Sequence, residues 1–251
     1  MGVSRGALLL VAACSSGTSK VGEDAKHPIK PAGDATITAD AAPARPALGD
    51  AQIRVEWPKV TSAMRGSPGK TSCNTARAAF VAPSTTFGIG DAFVIIDGAS
   101  IPAEARVRLA DCALSPRVAV GQSLIIESAA DHPVTVTLRK RGDLDHVETL
   151  VAGTPVPIQL PITGHAVQTT LEAGGVYEVA TGDKTPETAW IIGGHAAVTD
   201  ANGVVLVKEL AAGAHAVIAW LPPRAGQPAR RATGEVTVVA NDLAELTLSL
   251  D

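Results

Sequence analysis

Three cysteines and six histidines are the residues of this chain best suited to nucleophilic, redox or metal chemistry. Cys14 follows the small residues Val11-Ala12-Ala13, the run Ala7–Ala13 before it is apolar, and Arg5 lies upstream. A positive residue, a short apolar run and small residues before a processing point have the composition of an export signal, and seven apolar residues are far too few to span a bilayer. The competing reading is the apolar N-terminus of a cytosolic protein. With Cys14 set aside, Cys73 and Cys112 form an even pair. In an oxidising compartment they can bridge; otherwise they are two buried free thiols. A bridge would close a loop of about 40 residues and stabilise the fold by roughly 4 kcal/mol on the chain-entropy model.

Among the histidines, His132 stands in the tight connection Asp131-His132-Pro133 and has two readings: a turn cap, or a weak metal ligand with Asp131. Asp143, Asp145, His146 and Glu148 form a polar cluster, with alternate positions on one side of an extended chain. A metal site needs three or four convergent ligands, and a solvated hairpin loop explains the cluster more simply. Asp200-Ala201-Asn202-Gly203 begins like a calcium loop but lacks the later ligands, so it reads as a turn. His195 and His215 fall in strands, His165 in a turn-like stretch and His27 in a polar segment, all consistent with structural or solvated roles. Gly88-Ile89-Gly90 precedes a strand rather than a helix and is no phosphate cradle. No G-x-S-x-G or H-E-x-x-H motif occurs, and nothing in the sequence points to an enzyme. Net charge is -4 with scattered basic residues, which argues against nucleic acid as a partner.

The elements that must position these residues are strands. Ser15–Asp50 is rich in Ala, Pro, Gly and Asp, has no sustained period, and reads as a flexible tether. From Gln52 short apolar or alternating runs follow one another, separated by Gly, Pro, Asn and Asp, with no helical period. The expected strands are Gln52–Trp57, Ala92–Asp97, Arg106–Leu109, Val118–Ser128, Val134–Leu138, His146–Val151, Val156–Leu160, Val167–Leu171, Val176–Ala180 and Ala189–Ile192. Ala92–Asp97 is nearly continuously apolar, as in a strand buried on both faces. After Gly193-Gly194 come Ala196–Thr199, Val204–Leu210, His215–Leu221, Glu235–Val239 and Leu243–Leu250, with Asn202-Gly203 as a hairpin turn and Pro222–Arg231 as a longer basic loop. The fold class is all-β. Residues 51–192 form a larger unit and 193–251 a small antiparallel one, close to the lower size limit for independent stability.

Three resemblances sharpen this reading. Residues 1–14 resemble a bacterial lipoprotein signal with its lipobox, which implies cleavage before Cys14 and a diacylglycerol on its thiol. Ala197–Trp220 resembles the carboxypeptidase regulatory-like (prealbumin-like) repeat, through a V-T-D-x-x-G turn, a Leu before a Gly turn and an alternating strand. It implies a small non-catalytic β-sandwich over residues 193–251. Cys73, the strand Ala92–Asp97, the stretch Asp111–Val118, Val120-Gly121-Gln122 and Asp131-His132 together resemble the cupredoxin-like domain of envelope proteins such as those of methylamine utilisation. That resemblance implies a Greek-key sandwich over residues 51–192. In copper-binding members a first His, which maps onto His132, is joined by Cys, His and Met from the loop before the last strand. Here that loop, Thr181–Ala189, contains none of the three. Thiolate and imidazole ligands define such sites, so the blue-copper type is excluded and His132 is left as a vestigial candidate.

The expectation is therefore a non-catalytic, lipid-anchored envelope protein, with no cofactor, held to a membrane through Cys14 and presenting a binding or structural surface to an envelope partner. Periplasmic and outer-membrane placements stay open. The alternative is a metal-binding or electron-transfer protein with a non-blue site built on His132 and His146, His165 or His195.

Overall fold

The computed structural model describes residues 47–65, 68–77, 79, 81–182, 186–224 and 227–250. The expected signal, Cys14 and most of the expected tether lie outside the described residues. All described strands belong to one unit, Arg45–Asp251. In chain order they are β1 (Leu48–Glu56), β2 (Gly69–Lys70), β3 (Ala76–Arg77), β4 (Phe93–Ile96), β5 (Glu104–Ala110), β6 (Ala113–Ser115), β7 (Val118–Val120), β8 (Ser123–Ser128) and β9 (Val134–Asp143). A 3-10 turn at Leu144–His146 precedes β10 (Val156–Leu160), β11 (Ala166–Thr170), β12 (Gly175–Thr181), β13 (Thr188–Gly193), β14 (Ala196–Val198), β15 (Val204–Ala211), β16 (Gly213–Leu221), β17 (Arg230–Val238) and β18 (Leu243–Ser249). The protein is all-β.

The sheets stack as two sandwiches. In one, a three-stranded sheet β15-β1-β18 faces a four-stranded sheet β14-β4-β16-β17. Its core holds Ile53, Val55 and Trp57 with Val94, Ile96, Val217, Ala219, Val236 and Leu248. In the other, β10-β9-β12-β13-β7 faces β11-β8-β5-β6, with Val107, Leu124 and Ile126 packed on Val136, Val179 and Ile191. Alternation along β1 and β5, where every second residue is buried, is the pattern of a strand with one face in a core.

The continuous apolar runs do something different. In β4, Val94 and Ile96 face the first core, while Phe93 and Ile95 join a third cluster with Val118, Val120, Val176, Trp190, Ile192 and Trp220. This third cluster joins the backs of the two sandwiches, so β4 and β13 are apolar on both faces. Phe93 stacks on Trp220 with ring centroids 5.6 Å apart, and Trp190 meets Trp220 edge-on at 5.7 Å. Leu144 and Val147, three apart on the 3-10 turn, close the same cluster. That spacing is why 146–151 does not become the expected strand: two side chains on the same side three residues apart suit a tight helical turn, not a period of two.

Two expected boundaries are corrected. The tether overlaps β1, because Leu48 pairs with Ala211 and Asp50 with Leu243. More consequentially, the cut at 192/193 runs through hydrogen-bonded sheets. Phe93–Ile95 pair with Ala196–Val198, Phe93–Ile96 with Val217–Trp220, and β1 lies between β15 and β18. Residues 193–251 are therefore not a separate antiparallel unit, and β18 runs parallel to β1. The physical reason is size: four or five short strands cannot bury two sheet faces, so strands from the first hundred residues complete both sheets. The second sandwich, β5–β13, is inserted between β4 and β14.

The expected strand Val118–Ser128 also divides. β7 pairs in parallel with β13 in one sheet, and β8 in parallel with β5 in the opposite one. The chain changes sheets at Gly121, where a Cβ would stand 2.5 Å from the Glu104 carbonyl carbon, so only glycine fits this corner.

Candidate functional site

A cavity of about 650 Å³ opens where β5 turns into β6. Its lining includes Cys73, Cys112, Asp111, Asp131, His132 and Thr181. Sequence reasoning singled out Cys73, Cys112 and His132 separately; the fold brings all three to one place. Thr181 ends β12, at the start of the loop that the cupredoxin resemblance assigns to metal binding.

Cys73 and Cys112 are bridged, with Cα atoms 5.6 Å apart. Of the two readings left open by cysteine count, the structure takes the disulfide. Cys73 sits in the turn of the small β2–β3 hairpin, where Gly69 pairs with Arg77 and Lys70 with Ala76. Cys112 occupies the two-residue turn between β5 and β6, closed by the Ala110–Ala113 pair. Asp111 (φ 50°) and Cys112 (φ 61°) both adopt the left-handed region, as a two-residue hairpin with the right twist requires. That region favours Gly and Asn, so an Asp-Cys pair there carries local backbone strain. Hydroxyl groups reinforce the bridge: Thr71 Oγ1 donates to Asp111 O at 2.9 Å and Thr75 Oγ1 to the same oxygen at 3.1 Å. Arg77 Nη1 meets Glu187 Oε1 at 2.8 Å, fastening the other end of the hairpin. None of these polar clasps has a sequence signature, because the partners lie 36 to 110 residues apart.

His132 Nδ1 lies 2.8 Å from Asp131 Oδ1, and both side chains are well exposed. The hydrogen bond with His132 is the main influence holding the Asp131 carboxyl below the usual carboxylate range. The other histidines are elsewhere. His195 Nδ1 donates to Ala99 O at 2.6 Å, and His215 Nε2 to Ala211 O at 2.7 Å. His165 lines a separate cavity with Arg108 and Glu127, and His146 Nδ1 stands 3.6 Å from Glu148. Among the described residues no three His, Cys, Asp or Glu side chains converge.

The polar cluster Asp143–Glu148 is dispersed into ion pairs. Asp143 meets Lys140 at 3.0 Å, and Glu148 meets Arg231 at 3.3 Å. Lys140 also pairs with Glu172, and its carboxylate partners, Glu172 foremost, hold its ammonium above the ordinary range. Asp200–Gly203 forms the expected turn: Asp200 Oδ1 accepts from the backbone N–H of Asn202 and of Val204, each at 2.9 Å. Arg224, in the expected basic loop Pro222–Arg231, is buried. It donates to Asp91 O at 2.9 Å, and burial, partly offset by Asp91, lowers its guanidinium to about 10.

The donor chemistry of the cavity does not fit a blue-copper ion. Both cavity sulfurs are consumed in the disulfide, and the groups beside His132 are carboxylate and hydroxyl oxygens rather than thiolate, thioether or a second imidazole. What the arrangement can do is admit a small molecule to an accessible disulfide. Comparison with protein-family models, with curated proteins and with solved structures found no match for this chain.

Proposed function

We propose that this chain is a non-catalytic, lipid-anchored protein of the bacterial cell envelope, a binding or structural body on a cupredoxin-like scaffold without the copper ligand set. The observation that carries the reading is the cavity holding His132, whose two sulfurs are locked together and whose remaining polar groups are hard oxygen donors. Such a set suits a scaffold used for contact rather than electron transfer. The lipobox-like Val11–Cys14 and the low-complexity segment after it supply the means of attachment, and a disulfide suits the oxidising envelope. The V-T-D-x-x-G turn at Val198–Gly203, which carries the regulatory-like resemblance, belongs to strands whose sheets β1 and β4 complete.

The experiment is intact-mass analysis of the protein purified from envelope membranes with detergent, together with labelling by a fatty-acid analogue. A chain beginning at Cys14 and carrying a diacylglycerol supports the reading. A soluble, unlabelled chain beginning at Met1 overturns it.

A further inference from the structure

We propose that the Cys73–Cys112 disulfide is a thiol-reactive clip, opened by a low-molecular-weight thiol entering the adjoining cavity, and that opening it releases the β2–β3 hairpin from the β5–β6 turn. Three observations converge. The disulfide is at the surface: Cys73 is exposed and Cys112 only half-buried, unlike a structural disulfide sealed in a core. Both residues line a cavity of about 650 Å³, within the range that holds small-molecule ligands. Finally, the hairpin that the bridge fastens has paired strands of only two residues each, too little to hold its place alone.

Access decides which sulfur reacts. Cys112 lies on the tight turn with φ 61° and is partly covered, whereas Cys73 projects from the hairpin turn. The incoming thiolate attacks Cys73 Sγ. A new sulfur–sulfur bond forms to Cys73, the Cys73–Cys112 bond breaks, and Cys112 leaves as a thiolate that takes a proton from water. A second thiol molecule then attacks the adduct at the small molecule's sulfur, releasing the small-molecule disulfide and the Cys73 thiol. The protein gains two electrons and the two thiols lose them. With the bridge gone, the ties left between the hairpin and the body include the Thr71 and Thr75 bonds to Asp111 O and the Arg77–Glu187 pair. The Thr75 bond is exposed, and neutral hydroxyl bonds of this kind have a low net worth, which leaves the Arg77–Glu187 pair as the stronger of the ties. The wall of the cavity formed by Cys73 becomes movable.

The test uses the folded full chain and glutathione as the probe thiol, with alkylation and peptide mass mapping to separate Cys14, Cys73 and Cys112. The expected result is a glutathione adduct on Cys73, at a rate proportional to glutathione and unchanged by sub-denaturing urea. Amide exchange of residues 69–77 and 110–113 should then quicken by at least about tenfold, while Val176–Val179 stays protected. A rate set by global unfolding, independent of thiol and accelerated by urea, overturns the proposal. So does an adduct on Cys112, reduction by a protein dithiol but not by glutathione, or reduction without faster exchange in the hairpin. None of these outcomes depends on whether Cys14 carries lipid.

Discussion

Residues 193–251 on their own should fail to fold, although the sequence marks them as a unit. The perturbation is expression of that segment alone. Its magnitude follows from what the preceding chain contributes to the first sandwich. Ile53, Val55, Trp57, Val81, Ile89, Val94 and Ile96 all belong to its core and are at most 4% exposed. Each such side chain is worth about 1.5–3 kcal/mol when buried, so their removal forfeits on the order of 10–20 kcal/mol. A whole domain is stable by only about 5–15 kcal/mol. The loss is also topological. Without β1, β15 and β18 have no strand between them, and without β4, β14 and β16 lose theirs. One sheet is reduced to two unpaired strands, and the other to the β16–β17 pair with an exposed edge. The assay is an amide proton–nitrogen correlation spectrum with a thermal melt, comparing the segment with residues 45–251. Collapsed amide dispersion and no cooperative transition are expected of the segment, against a single cooperative melt for the longer chain. A well-dispersed spectrum and a cooperative melt from residues 193–251 alone would refute the claim that the sandwiches interlock.

Three further outcomes follow. Replacing Cys73 and Cys112 together by Ser opens a loop with a separation of 39 residues. It should lower stability by about 4 kcal/mol and Tm by about 8–16 °C, measured by denaturant and thermal unfolding; a loss under about 1 kcal/mol contradicts it. Gly203→Ala places a Cβ against Val55 O and 2.5 Å from Ile89 N at φ +78°, whereas Gly174→Ala at φ +75° meets nothing within 4 Å. The second should cost about 1 kcal/mol and the first at least about 2 kcal/mol more in chemical denaturation, and equal costs would show that the turn does not dock on β1. Finally, Asp131 titrates below the ordinary carboxylate range because of His132. Its lowered folded value makes the pair's contribution present above the unfolded value and lost as pH falls through the folded one. In His132→Ala the Asp131 carboxyl resonance should titrate at higher pH, and an unshifted curve refutes the pairing.

Much of the strand inventory was readable because burial leaves a period of two. In β1 the alternation Ile53, Val55, carried on by Trp57 just past its end, marks the face that meets the core, and in β4 the unbroken run Phe93–Ile96 announces burial on both sides. Partnership between strands was not readable. The parallel pairing of β1 with β18 joins residues nearly 200 positions apart through backbone atoms common to every amino acid, so no side-chain pattern encodes it. The β5–β6 turn was hidden for a related reason: Asp111-Cys112 lacks the Asn or Gly that advertises a positive-φ turn, and tertiary ties to Thr71 and Thr75 hold it instead. At the candidate site, residue types alone flagged Cys73, Cys112 and His132. Their shared cavity is a product of the fold.

Copper titration of the natively purified protein, followed by visible absorption and metal analysis, bears most directly on the claim that the scaffold has no blue-copper ligand set. With the sulfurs of Cys73 and Cys112 bonded to each other and His132 beside oxygen donors, no stoichiometric tight copper and no intense blue band are expected. One copper per chain with strong blue absorption, abolished in His132→Ala, would contradict it.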